Sequence, residues 1–76
     1  MKEVLEVIAK ALVDAPEEVS INEVDGEQSI ILELHVADKD MGKVIGKHGR
    51  IAKAIRTVVK AAASRDNKHV VVEIVQ

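Results

Sequence analysis

From Met41 to Ser64 the chain keeps a helical rhythm of apolar residues and breaks it once, at Gly46-Lys47-His48-Gly49. That break constrains the fold more than any other feature. Met41, Val44 and Ile45 supply the stripe of a short helix over DKDMGKVIG, which Asp38 or Asp40 can cap and Gly46 can end. After Gly49, RIAKAIRTVVKAAAS sets Ile51, Ile55, Val58 and Ala62 at helical spacing, with Val59 and Ala63 widening the stripe. Two of the chain's four glycines therefore stand three apart, between two helices. Glycine at both ends permits a tight reversal and lets a ligand's backbone come close. The second helix starts there, and the free N–H groups and dipole of a helix N-terminus favour anions.

Charge is distributed to match. Residues 1–37 carry a net −7, whereas residues 41–65 carry +7 from Lys43, Lys47, Arg50, Lys53, Arg56, Lys60 and Arg65, with no acid among them. The overall charge of −2 hides this division, and a ligand meets the local field, not the net charge. Arg50, Lys53, Arg56 and Lys60 follow one another at spacings of 3, 3 and 4, on the face opposite Ile55, Val59 and Ala62. A charged helix face is ordinarily a solvated face. Here no acid alternates with the cations, and the stripe begins at the glycine loop, so the face reads as a surface for a polyanion.

The remaining segments frame this loop. Leu5, Ile8 and Leu12 mark a first helix, which Pro16 should end. Val19 and Ile21 alternate with Ser20 and Asn22 in a strand, and Glu23 beside Val24 breaks the alternation, which predicts a bulge or the strand's end there. Asp25-Gly26 signals a hairpin. In the return strand Ile30, Leu32, Leu34 and Val36 share one face, and Ile31, Glu33 and His35 the other. Arg65-Asp66-Asn67-Lys68 should turn, and HVVVEIV is dense in β-branched residues, as a strand is. The expected order is α-β-β-α-α-β, an α+β domain over residues 1–76 with helices packed on one face of a three-stranded sheet. A chain of 76 residues makes one domain and buries about two-thirds of its unfolded surface.

Several chemistries are excluded. A P-loop needs four residues between its glycines and a Ser or Thr after the lysine; Gly42 and Gly46 enclose three residues, and His48 follows Lys47. The same glycines spell a membrane-dimer motif, but no apolar run approaches the length of a span. There is no cysteine, and His35, His48 and His69 lie far apart, so no metal site or cofactor is expected. Ser20, Ser29 and Ser64 have no activating partner in sequence, and the chain does not read as an enzyme. His35 and His69 read as structural or solvated, while His48 is either a phosphate donor or the occupant of a variable loop position.

An isoleucine, then Gly-x-x-Gly, then a basic residue, set between two helices, resembles the KH domain, an RNA-binding module. The element order is similar to the type II KH arrangement. The stretch MGKVIGKHGRIAKAIRTVVKAAA, with a short N-terminal helix before it and one strand after it, resembles the small bacterial single-KH family of the KhpA type, over essentially the whole chain. The resemblance implies that Gly46, Lys47, His48 and Gly49 clamp the backbone of single-stranded RNA, with Lys47 and Arg50 at phosphates. It implies a groove lined by Val44 and Ile45, by Ile51 or Ala52, and by the second strand's edge from Leu34 to Val36. Lys53 and Arg56 extend the basic surface. Ala52 departs from the bulky aliphatic many KH domains place there, which makes the groove floor shallower or shifts it. The resemblance further implies an RNA chaperone or post-transcriptional regulator in the bacterial cytoplasm, acting as a homodimer or as a heterodimer with a larger KH-containing partner of the KhpB or Jag type. The rival reading is a KH fold kept for protein interaction, its basic helix facing an acidic partner. With no aromatic residue in the chain, base stacking on rings is unavailable, and low sequence specificity is expected.

Overall fold

The computed structural model describes residues 2–64 and 69–75. The elements are α1 (Lys2–Leu12), β1 (Ser20–Asp25), β2 (Ser29–His35), α2 (Met41–Ile45), α3 (Arg50–Ala63) and β3 (His69–Val75), in the α-β-β-α-α-β order read from sequence. The turn expected over Arg65–Lys68 lies outside the described residues. The sheet runs β1-β2-β3, with β1 antiparallel and β3 parallel to the central β2. The connection from β2 to β3 passes through α2 and α3, the crossover that a parallel pair requires.

Alternation decides which face of the sheet is covered. Ile30, Leu32 and Leu34 of β2 and Val70 and Val72 of β3 point into one cluster with Leu5, Ala9, Val44, Ile55 and Val59 from the helices. Leu5, Leu32, Leu34, Val44, Val59 and Val70 are the large apolar side chains buried most completely. All three helices supply that layer, so the other face of the sheet stays open.

Four local expectations need correction. β1 does not bulge at Glu23: its pairing with β2 runs one to one from Ser20↔His35 to Asp25↔Ile30. The alternation breaks because Val24 stands half-exposed on the open face, and backbone pairing carries the strand through. Second, β2 offers no edge, because it is paired on both sides and Leu34 has no exposed surface. The sheet edge beside α3 belongs to β3, on which α3 packs. Third, the buried stripe of α3 is Ala52, Ile55, Val59 and Ala63, while Val58 is 49% exposed. Fourth, α1 ends at Leu12, well before Pro16, which instead opens a 3₁₀ turn over Pro16–Glu18. The N–H groups that would continue α1, those of Asp14 and Ala15, donate to the carboxylate of Asp40 at 3.1 and 3.0 Å.

Candidate functional site

Between α2 and α3 the chain makes its tight reversal over Gly46–Gly49 as a 3₁₀ turn of Lys47–Gly49. The N–H of Gly46 closes α2 by donating to Gly42 O at 2.9 Å, and the N–H of Gly49 donates to Gly46 O at 3.2 Å. Gly46 has φ 75°, ψ 174°, a region open in practice only to glycine. Its missing side chain also matters, because a Cβ there would fall 2.5 Å from Ile51 Cγ1. Ile51, half-buried, is thus the floor immediately beneath the first glycine. Ala52 faces the core at 4% exposure. Gly49 is left-handed (φ 72°, ψ 16°), and a Cβ there would meet nothing within 4 Å. His48 is also left-handed (φ 58°), a conformation that histidine adopts more readily than most side chains.

The expected site residues divide by accessibility. Lys47, His48, Arg50 and Lys53 are exposed around the reversal, and Ile45, Gly46 and Gly49 are half-exposed. Val44 is fully buried and supports the loop from below, with no surface to offer a ligand. Arg56 is exposed as well, and its Nε donates to the backbone O of Val72 in β3 at 3.2 Å. Lys43 is half-exposed, and its ammonium pairs with the Asp14 carboxylate and lies 3.6 Å from Asp40 Oδ1. Among the described residues, Lys47, Arg50, Lys53 and Lys60 take part in no ion pair. At about 100° per residue, Lys53, Arg56 and Lys60 fall within an arc of about 60° on α3, and Arg50 lies about 60° beyond it. The result is a loop of open backbone at a helix N-terminus, bordered by cations without counter-charges, which suits a polyanion's backbone.

Asp40 does not cap α2; it makes no capping bond there. Burial pushes its carboxyl up, but the Asp14 and Ala15 N–H bonds and the nearby Lys43 ammonium outweigh burial and hold it below the usual aspartate value. The Asp14 carboxylate in turn raises Lys43 above the ordinary lysine value, against the opposing effect of burial. Sequence reasoning assigned Asp40 only a local role. The i,i+3 spacing of Asp40 and Lys43 was a signal, whereas the partner some 25 residues earlier left none.

On the other side of α3 lies an apolar groove of about 440 Å³, lined by Ile8 and Leu12 of α1 and by Ile51, Ala54 and Val58 of α3, with Arg50 at its rim. Among the described residues no cluster of His, Cys, Asp or Glu could hold a metal ion, and no helix is long and apolar enough to cross a membrane.

A sequence model of the KhpA/KhpB KH domain matches residues 2–74. RNA-binding protein KhpA of Clostridium acetobutylicum is 73% identical over 75 residues, covering 99% of this chain and all of that protein. RNA-binding protein KhpA of Chlamydia trachomatis is 57% identical over 76 residues, covering 100% of this chain and 97% of that protein. Neither name is that of an enzyme. Two solved structures share the fold at 18% identity. One is Aquifex aeolicus Era with GDP and AlF4− (TM-score 0.71), and the other is Era with MgGDPNP and nucleotides 1506–1542 of 16S ribosomal RNA (TM-score 0.67). Each match covers 96% of this chain and 28% of the Era chain, so the likeness is to one part of a larger protein.

Proposed function

The chain belongs to the KhpA/KhpB family of KH domains, and on that premise we propose that it binds single-stranded RNA at the Gly46–Gly49 loop, as a dimer in the bacterial cytoplasm, as an RNA chaperone or post-transcriptional regulator. The observation that carries this reading is the loop itself. Two glycines hold the backbone open at the N-terminus of α3, and Lys47, Arg50 and Lys53 surround it with no acid among the described residues paired to them. The relatives' printed name, RNA-binding protein KhpA, supports the choice of polyanion. The strand's backbone runs over Gly46–Gly49, above Ile51, and its bases face Ile45. With no aromatic ring to stack on, affinity rests on phosphates and aliphatic contact and depends little on base identity.

Salt reports the number of phosphates neutralised. For single strands, log K falls with log salt with a slope of about −0.7 per phosphate. Three or four free cations therefore predict a slope of roughly −2 to −3 for a short single-stranded RNA followed by fluorescence anisotropy. Absence of RNA binding at low salt would move the protein-interaction reading to first place.

Dimerisation would raise avidity by joining two weak sites. The groove between α1 and α3 supports a second copy as its occupant, because Val58 at 49% and Leu12 at 36% exposure extend the apolar surface out of the core. Val58→Asp puts a carboxylate into that contact while sparing the buried stripe. It is expected to weaken self-association at least about 100-fold, converting dimer to monomer in light scattering with circular dichroism unchanged. A Val58→Asp dimer would place the interface elsewhere.

A further inference from the structure

Asp40 is the buried charged side chain among the described residues, with no exposed surface. Well-packed apolar residues generally serve stability as well as a buried ion pair does, so core packing alone does not account for a carboxylate at this place. Its contacts do. Oδ1 accepts the N–H of Asp14 and Oδ2 that of Ala15, and Lys43 Nζ lies 3.6 Å from Oδ1 while also pairing with the Asp14 side chain. Four contacts thus join the segment after α1 to the first turn of α2.

α2 needs that tie. It has five residues, far below the dozen or so that hold a helix on their own. It buries two side chains, Met41 and Val44. Its direction is therefore set by what grips its ends. Val44 grips the C-terminal end from the core, and Asp40 grips the N-terminal end. The residue that follows α2 is Gly46, the first glycine of the loop. A small rotation of α2 about Val44 moves Gly46 relative to the N-terminus of α3, and so alters the gap in which a phosphate sits.

We propose that Asp40, held by Asp14, Ala15 and Lys43, is a positioning residue for the RNA clamp: it fixes the angle of α2 and with it the spacing between Gly46 and α3. This rests on the RNA reading above. It makes Lys43 part of the support and not a phosphate contact, despite its place in the basic run.

Asp40→Asn tests it, because electrostatics and positioning predict opposite signs. The variant removes a negative charge near a cationic site, which by charge alone tightens RNA binding. It also sets an amide N–H₂ against one of the two backbone N–H groups and weakens the hold on Lys43, which under the proposal loosens α2. With the variant folded by circular dichroism, a short single-stranded RNA should bind about three- to tenfold more weakly, the size of coupling seen within one hydrogen-bonded network. Amide hydrogen exchange should quicken at Gly46–Arg50 while Leu32, Val59 and Val70 keep their protection. If Asp40→Asn does not fold, Lys43→Gln keeps both backbone bonds and is read instead, with weaker binding at an unchanged salt slope expected. Equal or tighter binding by a folded Asp40→Asn, or a reduced salt slope with Lys43→Gln, overturns the proposal and leaves the RNA reading standing. Failure of the native chain to bind RNA overturns both.

Discussion

Replacing Lys47 and His48 together by aspartate should weaken single-stranded RNA binding by about 30-fold or more at matched salt, with the fold intact. The structure gives reasons for both halves of that result. Both side chains are exposed, so neither change disturbs the core. His48 is left-handed at φ 58°, and aspartate is among the few residues that tolerate that conformation. Both glycines stay, so the reversal survives. The electrostatic change is large: a lysine becomes an acid and a histidine becomes a second acid, at a loop where no acid stood. Two carboxylates then face the phosphates that the free N–H groups of α3 would otherwise attract. Arg50, Lys53 and Lys60 remain, so residual binding at low salt is expected, with a shallower salt slope. Anisotropy with one short RNA, beside circular dichroism of both proteins, decides the matter. Equal binding by the two proteins would mean that RNA, if bound, lies elsewhere, and the basic face of α3 would then be better read as a surface for an acidic protein.

Much of this arrangement was legible in the sequence because it rests on local periodicity. β2 could be read because Ile30, Leu32 and Leu34 alternate with Ile31, Glu33 and His35, and the sheet buries one set. β3 matched HVVVEIV in full. The glycine loop could be read because a reversal between two helices needs backbone freedom at definite positions. What escaped reading depends on partners distant in sequence. Strand order is such a property, and it made β3, not β2, the edge beside α3. Arg56 stands exposed on the basic face as read, but its Nε also donates to a carbonyl of β3 sixteen residues later, a contact that no local pattern announces. α3 shows why periodicity can mislead within a helix. Its apolar residues cover more than half its circumference, so the pattern cannot tell the core-facing stripe of Ala52, Ile55 and Val59 from the groove-facing Ile51, Ala54 and Val58. Asp40 is the plainest case. An aspartate before a helix reads as a cap, and only the fold shows that its acceptors serve Asp14 and Ala15.

Gly46→Ala and Gly49→Ala should differ sharply, although a motif treats the two glycines alike. At Gly46 two penalties coincide. The backbone lies at φ 75°, ψ 174°, where a side chain is strained by about 1–3 kcal/mol. The new methyl would also lie 2.5, 2.8 and 2.9 Å from Cγ1, Cδ1 and Cβ of Ile51, a branched side chain whose Cβ cannot swing away. Overpacking of that kind adds about 1–3 kcal/mol. A total of about 2–6 kcal/mol is a large part of the stability of a small domain and should lower Tm by at least about 8 °C. At Gly49 the methyl enters open space, and only the left-handed backbone resists, at about 1 kcal/mol and roughly 4–8 °C. That open space is where the proposed strand passes. Gly49→Ala should therefore remain folded yet bind RNA more weakly, while Gly46→Ala should lose binding in step with its folded fraction. Thermal melts and RNA titrations of both variants separate the two roles. Equal losses of Tm would show that Ile51 can move aside, and full RNA binding by Gly49→Ala would show that the strand does not approach the second glycine.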